Sequence, residues 1–171
     1  MSNLEKIRTI LWNKIGSRLF ACTPQNAYVF RTLMLKFFGM RCGSRVRVRR
    51  NVFIDKPWNV VADDLVIFGD RSIINATAQI RIGKRSVISQ YAMLMTKVGS
   101  VSKSGLANTV GSINIEADCW IATDTLVLPN ASVKTGTVVG ARSIVQGQLP
   151  SWSICTGEPA VVRTSRVLYG P

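Results

Sequence analysis

From Ile115 onward an aliphatic residue stands at every sixth position: Ile115, Ile121, Val127, Val133, Val139 and Val145. Small residues hold the fifth place of each hexad, as Cys119, Thr125, Ala131, Thr137 and Ser143, and Ala122 and Gly140 directly follow their aliphatic neighbours. Upstream the same phase runs through Ile82, Ile88 and Leu94, with Gly83, Ser86 and Ala92 beside them, and shorter matches occur at Val46 and Val52 and at Ile67 and Ile73. A helix repeats roughly every 3.6 residues and a half-buried strand every second residue, so a sustained period of six requires another geometry. It predicts a mainly β fold, a parallel β-helix in which each hexad forms one flat side of a triangular prism. The aliphatic residue points inward and the small residues occupy the tight corners. Three sides make a turn of about 18 residues, so the matched hexads supply about three to four coils. Pro129 and Asn130 fall beside an expected corner, where a turn accepts them and a strand does not.

A stack of coils has open ends that must be covered. Leu4, Ile7, Leu11, Ile15 and Leu19 fall at helical spacing, and Ile10 and Phe20 widen the stripe. Thr23-Pro24 closes that segment, and a second helical run, about Tyr28 to Phe38, is stopped by Gly39. These apolar stripes are expected to cover the coil end or a neighbouring subunit. The chain then divides into a basic helical cap over residues 1–41, a β-helix over 42–166 with an inserted loop at 96–114, and a tail at 167–171.

The net charge of +13 is concentrated: residues 1–50 hold eleven Lys and Arg against Glu5 alone. Such a face can meet nucleic acid, anionic lipid or an acidic substrate, or simply stay solvated. In Val46–Asn51 the sequence alternates as a first strand would, with Val46 and Val48 on one face and Arg45, Arg47 and Arg49 on the other. The basic run lacks the interleaved aromatics of a single-strand binder, so an anionic saccharide or lipid headgroup is the more economical partner, and nucleic acid is not expected. Lys6, Arg8, Lys14 and Arg18 surround an apolar stripe with Trp12, as in an interfacial membrane anchor; the alternative is a cap that buries the stripe. The two are compatible if the basic edge stays exposed.

No segment has the form of a secretory leader or a membrane span, which predicts a cytoplasmic protein, with peripheral contact at the inner membrane if the anchor operates. Cys22, Cys42, Cys119 and Cys155 are widely spaced and read as buried reduced thiols. The chain contains no histidine, which leaves no mixed zinc site and no Ser/His or Cys/His nucleophile pair. No metal is expected. Trp58 and Trp152 are either sugar-stacking residues or coil-edge packing.

The stretches "FRTLMLKFFGMRCGSRVRV", "PWNV", "IRIGKRSVISQYAMLMT", "ADCWIATDTLVLPNASVKTGTVVGARSIV" and "LPSWSICTGEPAVV", from about Phe30 to Arg166, resemble the left-handed β-helix, hexapeptide-repeat acyltransferases. The nearest branch holds the colanic acid biosynthesis, nodulation, galactoside and maltose O-acetyltransferases. The resemblance implies a left-handed prism, a homotrimer with each active site between two prisms, and acetyl-CoA as co-substrate. It implies that Trp120, Ala122 and Thr123 border the pantetheine groove and that Gly140 and Ala141 offer it backbone groups. The turn Thr156–Ala160, with Gly157, would close the adenine end, and Arg142, Arg163 and Arg166 would supply cations for the CoA phosphates. Asp70 and Asn75 are candidates for facing the acceptor.

In the family, the loop corresponding to "LMTKVGSVSKSG", Leu94 to Gly105, carries a histidine that removes the acceptor proton. Aligning Thr96 with the family threonine puts Gly99 or a neighbour at that position. Replacement bases near the right coils are Asp118, Asp124, Glu116, Lys97 and Lys103, and an acceptor amine that is already neutral would lessen the need for one. Two further departures are Gln146–Gln148, where relatives carry a lysine, and Glu158, where many have asparagine. The resemblance therefore implies an O-acetyltransferase, with ordinary or altered mechanism, acting on a saccharide or lipid-linked sugar in cell-surface or exopolysaccharide biosynthesis. The alternative is a catalytically silent trimer serving as a binding or assembly scaffold.

Overall fold

The computed structural model describes residues 3–102 and 105–167, leaving aside the side chains of residues 3–5 and 100–106. The Leu4 side chain, Lys103 and tail residues 168–171, all included in the expectations above, lie outside the described residues. Three sheets take strands in rotation to form a left-handed parallel β-helix. Sheet 1 holds six strands, from Arg41–Cys42 through Val60–Ala62, Ile80–Ile82, Ile113–Ile115 and Ser132–Val133 to Gln148–Leu149. Sheet 2 runs from Arg47–Val48 through Ile67–Phe68, Val87–Ile88, Trp120–Ile121 and Val138–Val139 to Ser153–Gly157, where Ala160–Ser165 adds an antiparallel edge. Sheet 3 comprises Phe53–Ile54, Ile73–Asn75, Met93–Met95, Leu126–Val127 and Ile144–Val145.

The five strands of sheet 3 mark five coils rather than the expected three to four. The lower coils escape the six-residue count because they are longer: Val48 pairs with Phe68, 20 residues on, whereas Ile121 pairs with Val139, 18 residues on. The additional pair of residues lies on sheet 1, where Val60 and Ala62, and again Ile80 and Ile82, both point inward. Consequently Ile67 and Ile73 are not the inward residues; Phe68 and Ile74 are, each fully buried. Val46 and Val52 are buried too, but in the small-residue place beside Val48 and Ile54.

The corners are also one residue earlier than expected. In the upper coils the chain turns at Asp118, Asp124, Asn130, Gly136 and Arg142, all in the left-handed region with φ of 59° to 74°. The small residues that follow are turned inward, with Cys119, Thr125, Ala131, Thr137 and Ser143 no more than 2% exposed. They are small because neighbouring sheets converge there, and their hydroxyls meet corner carbonyls: Thr125 Oγ1 donates to Gly140 at 3.2 Å and Thr137 Oγ1 to Pro150 at 2.6 Å. We name the corners 1/2, 2/3 and 3/1 after the sheets they join.

Helix α1 (Asn3–Leu11), a π-helical turn at Trp12–Gly16, α2 (Ser17–Ala21) and α3 (Tyr28–Phe37) cap the lower end. The first strands there expose edge carbonyls that no further coil can satisfy. Side chains of the cap take them: Arg31 Nε donates to Val48 at 2.7 Å, Thr32 Oγ1 to Val46 at 3.2 Å and Trp12 Nε1 to Ile54 at 2.6 Å. The face turned to the prism carries Trp12, Gly16 and Phe20, with Trp12 set edge-on against Phe20 and, at 4.9 Å between ring centres, against Phe38.

Of the described residues in the expected apolar stripe, only Phe20 covers the coil end. Ile7, Ile10, Leu11, Ile15 and Leu19 are 45–59% exposed. The tryptophan and phenylalanine remove more apolar surface from water, and the indole N–H answers an edge carbonyl that an aliphatic side chain cannot. The cysteine expectation needs correction as well: Cys22 is exposed and Cys42 half-buried, while Cys119 and Cys155 are buried. No helix among the described residues is long and apolar enough to cross a membrane.

Candidate active site

Corner 2/3 of the upper coils brings most of the donor-side candidates together. Ala122 N–H donates to Val139, Arg142 N–H to Thr123 at 3.0 Å and Gly140 N–H to Cys155 at 2.8 Å, so Ala122–Asp124, Gly140–Arg142 and Thr156–Gly157 stack as one ladder. A Cβ on Gly140 would lie 2.5 Å from Thr156 Cγ2, so only glycine fits that rung without displacing its neighbour. Gly157, at φ 112°, is a backbone position that glycine alone occupies readily, and its N–H is held by Ser143 Oγ at 3.1 Å. Arg163 Nε donates to Thr156 Oγ1 at 3.0 Å. Arg142 reaches Asp124 at 3.3 Å, with 85% of its side chain exposed.

Trp120 stands on the outer face of sheet 2 beside this corner, half exposed, with Nε1 donating to Ser89 Oγ at 2.8 Å. Pairing puts Val87 below it and Val138, then Ile154, above. Ser89 also lines an open cleft of about 490 Å³ on the lower part of corner 2/3, with Asp70, Arg49, Gln25, Gln90 and Tyr91. Asp70 is therefore on the same side of the prism as Trp120. Asn75 is not: it ends a strand of sheet 3 at corner 3/1, beside Met95, and its backbone carbonyl accepts from Thr96 Oγ1 at 2.8 Å.

Corner 1/2 holds a different group. Asp118 accepts two hydrogen bonds of 2.6 Å from Arg85, whose guanidinium holds this carboxyl below its usual range. Glu116 is likewise lowered, by Lys134 Nζ at 3.0 Å and by the Thr135 hydroxyl and N–H. Carboxylates so stabilised are poor proton acceptors at neutral pH. Arg166 lies here too, donating to the carbonyls of Asp118 and Gly136 at 2.7 and 2.8 Å, so the structure separates it from Arg142 and Arg163. It stacks on Trp152, and a Cβ on Gly136 would strike that indole at 2.6 Å, which makes Trp152 coil-edge packing. Trp58 is covered by Arg8, 5.2 Å above its ring, and belongs to the cap.

The insertion leaves corner 3/1 as an antiparallel hairpin, Lys97–Ser102 with Gly105–Val110, before Ile113–Ile115 rejoins sheet 1. It is thus a regular arm, shorter than the loop expected at 96–114. Lys97 is exposed, and a Cβ on Gly99 would meet nothing within 4 Å. Lys97, Asp118 and Asp124 accordingly occupy three different corners. Among the described residues no group of three or more Cys, Asp or Glu side chains is placed to hold a metal ion.

No protein-family model matches the sequence. Over 161 residues, 94% of this chain and 88% of the other, it is 37% identical to WcaF of Escherichia coli (strain K12), which carries the name of a colanic acid biosynthesis acetyltransferase. The chain belongs to the hexapeptide-repeat acetyltransferase family. Solved structures share its fold at low identity. A maltose O-acetyltransferase from Clostridium difficile 630 superposes with a TM-score of 0.83 at 20% identity, over 98% of this chain and 90% of that one. A hexapeptide-repeat acetyltransferase from Vibrio cholerae, complexed with acetyl coenzyme A, gives 0.87 at 16% identity over 97% and 91%.

Some pairings in this hexapeptide-repeat acetyltransferase could not be read from the sequence. Arg85 and Asp118 share a corner only because 33 residues separate paired strands across the arm, as Ile80 and Ile113 do. Ser89, which fixes the Trp120 ring, carries no signal beyond its neighbourhood to the repeat.

Proposed function

We propose that this chain binds acetyl-CoA along corner 2/3 and transfers its acetyl group to a saccharide of cell-surface or exopolysaccharide biosynthesis. The observation that carries this reading is the ladder at Ala122–Asp124, Gly140–Arg142 and Gly157, free of bulky side chains at Gly140 and flanked by the apolar column Val87, Trp120, Val138 and Ile154. The column suits the pantetheine arm, and Arg142 and Arg163 suit the phosphates. Arg166 is left out because two carbonyls already hold it. Acetyl-CoA in the Vibrio cholerae relative and the name carried by WcaF support donor and pathway class respectively. The cleft at Asp70, Gln90 and Tyr91 is our acceptor site.

We further propose a homotrimer. The arm springs from corner 3/1, whereas the donor groups stand on corner 2/3, so one copy does not unite them and a neighbour's arm can. The outer side of sheet 3, with Phe53, Met93, Leu126 and Ile144, offers an apolar contact face. The cytoplasm, where acetyl-CoA would be met, is the proposed location.

Chemically, an acceptor hydroxyl or amine attacks the thioester carbonyl and CoA leaves as its thiolate, the acceptor proton passing to solvent or a base. With no histidine, and with Glu116 and Asp118 held in ion pairs, transfer rests on proximity and turnover is slow. The same observation favours a second reading, a silent trimer that keeps the prism as a scaffold. Calorimetry with acetyl-CoA, followed by assay of released CoA with candidate saccharides, separates the cases. Micromolar binding with slow release supports the enzyme, and Trp120→Ala or Arg163→Glu should each weaken binding about ten-fold. Binding without release supports the scaffold, and no heat at millimolar donor overturns the donor site and the transferase reading with it, leaving the scaffold.

A further inference from the structure

The cap presents two amphipathic faces to the outside. On the first helical segment Leu11, Ile15 and Leu19 are 45%, 53% and 59% exposed; on α3 Phe30, Leu33 and Phe37 are 58%, 59% and 85% exposed. The opposite sides of the same helices, through Trp12, Phe20, Arg31 and Leu35, are turned to the prism end, so these apolar residues are turned away from it. The helices meet where Trp12 and Gly16 lie against Phe38, next to Phe37. Lys6, Lys14, Arg18 and Lys36 are exposed on these helices. Glu5 is the only acidic residue before Asp55.

Charge decides what can cover this surface. A second copy would have to offer carboxylates, yet most of the nine in the chain are engaged. Asp55 and Asp64 accept backbone N–H groups, Asp70 accepts from Asn51, and Glu116, Asp118 and Asp124 pair with Lys134, Arg85 and Arg142. Copies meeting cap to cap would set lysine against lysine. Nucleic acid would satisfy the cations but leave the phenylalanine and leucine side chains in water. A lipid surface with anionic headgroups satisfies both: the apolar residues enter the acyl boundary and the lysines and arginines meet phosphates.

We infer that the outward face of the cap is a docking surface for an anionic membrane, with the prism standing on the bilayer through its lower end. The inference does not depend on whether acetyl transfer occurs, because lipid binding is read without donor or acceptor. The test uses the full chain and sedimentation with vesicles of phosphatidylcholine, with and without phosphatidylglycerol. Binding should need the anionic lipid, fall with added salt, and drop at least about ten-fold in Lys14→Glu/Arg18→Glu and in Leu11→Asn/Phe37→Ser. All four positions are exposed, and circular dichroism checks that the variants stay folded. The inference is overturned if the intact chain ignores anionic vesicles, or if the apolar pair of substitutions splits an oligomer in light scattering and leaves lipid binding unchanged. It is equally overturned if the chain binds a nucleic acid duplex in a way that Phe37→Ser does not weaken and shows no preference for vesicles.

Discussion

Arg31 donates its Nε proton to the carbonyl of Val48 at 2.7 Å from a position with no exposed surface. The rest of the guanidinium donates to Thr23 Oγ1, Pro24 and Gln25 at 2.7–2.8 Å, so one buried cation joins the turn between the helices to the first strand of sheet 2. Replacement by methionine strips partners from all of these acceptors. Arg31→Met should lower stability by about 1–3 kcal/mol, the cost of leaving buried neutral acceptors without a donor, read as a lower urea midpoint. Trp12→Phe, which keeps the ring but loses the bond to Ile54, should cost about 1–2 kcal/mol.

Acid should loosen corner 1/2 before the rest. Arg85 lowers the pKa of Asp118, and Lys134 with Thr135 lowers that of Glu116. A carboxyl lowered in the fold contributes stability above its unfolded pKa of about 4, and loses it as pH falls through the folded value. Thermal melting should therefore drop below about pH 4, and Asp118→Asn should flatten that limb. Asp55 has the opposite sign: burial raises its pKa, so ionisation disfavours the fold, and Asp55→Asn should leave stability at neutral pH unchanged or higher.

The arm accepts a side chain that the corner at Gly136 would refuse. Gly99→His meets open space and should melt with the parent protein, whereas Gly136→Ala, at φ 74° and against the Trp152 ring, should lose about 1–3 kcal/mol. If the proposed transferase lacks only its base, Gly99→His should raise CoA release about 10²-fold with saccharide acceptors. An unchanged rate would mean that base position is not what limits turnover.

Thiol reagents should sort the cysteines. Cys22 is exposed and should react first under native conditions. Burial pushes the Cys42 and Cys119 thiols up to about 11, and Cys155 is fully buried, so these three should react slowly, Cys119 and Cys155 only as the prism opens. Timed labelling followed by mass spectrometry reads the order directly.

The upper prism was legible because Ile115 to Val145 keep a strict six-residue step, and each inward residue is aliphatic. Lower down, two additional residues on sheet 1 break the step at Val60–Ala62 and Ile80–Ile82, so that the six-residue spacing falls on Ile67 and Ile73, which face outward. The helices misled for another reason. Helical spacing finds an apolar stripe but not which edge of it meets the prism, and the aromatic edge, Phe20 with Trp12, outweighs the aliphatic side. At the site, the structure brings Ala122 and Thr123 to one corner with Gly140 and Ala141, as their spacing in the repeat leads one to expect, while it sets Arg166 and Asn75 at other corners, because those corners depend on the register across the arm and the last hairpin.

The two ends of the prism are finished differently. Helix side chains occupy the carbonyls of Val46, Val48 and Ile54 below, and above, the reversed strand Ala160–Ser165 breaks the parallel order of sheet 2. A solenoid without such stoppers is a template for its own kind, coil stacking on coil into a filament. The cap and the final hairpin thus act as terminators of polymerisation, and shortening either end should turn a discrete particle into head-to-tail fibres.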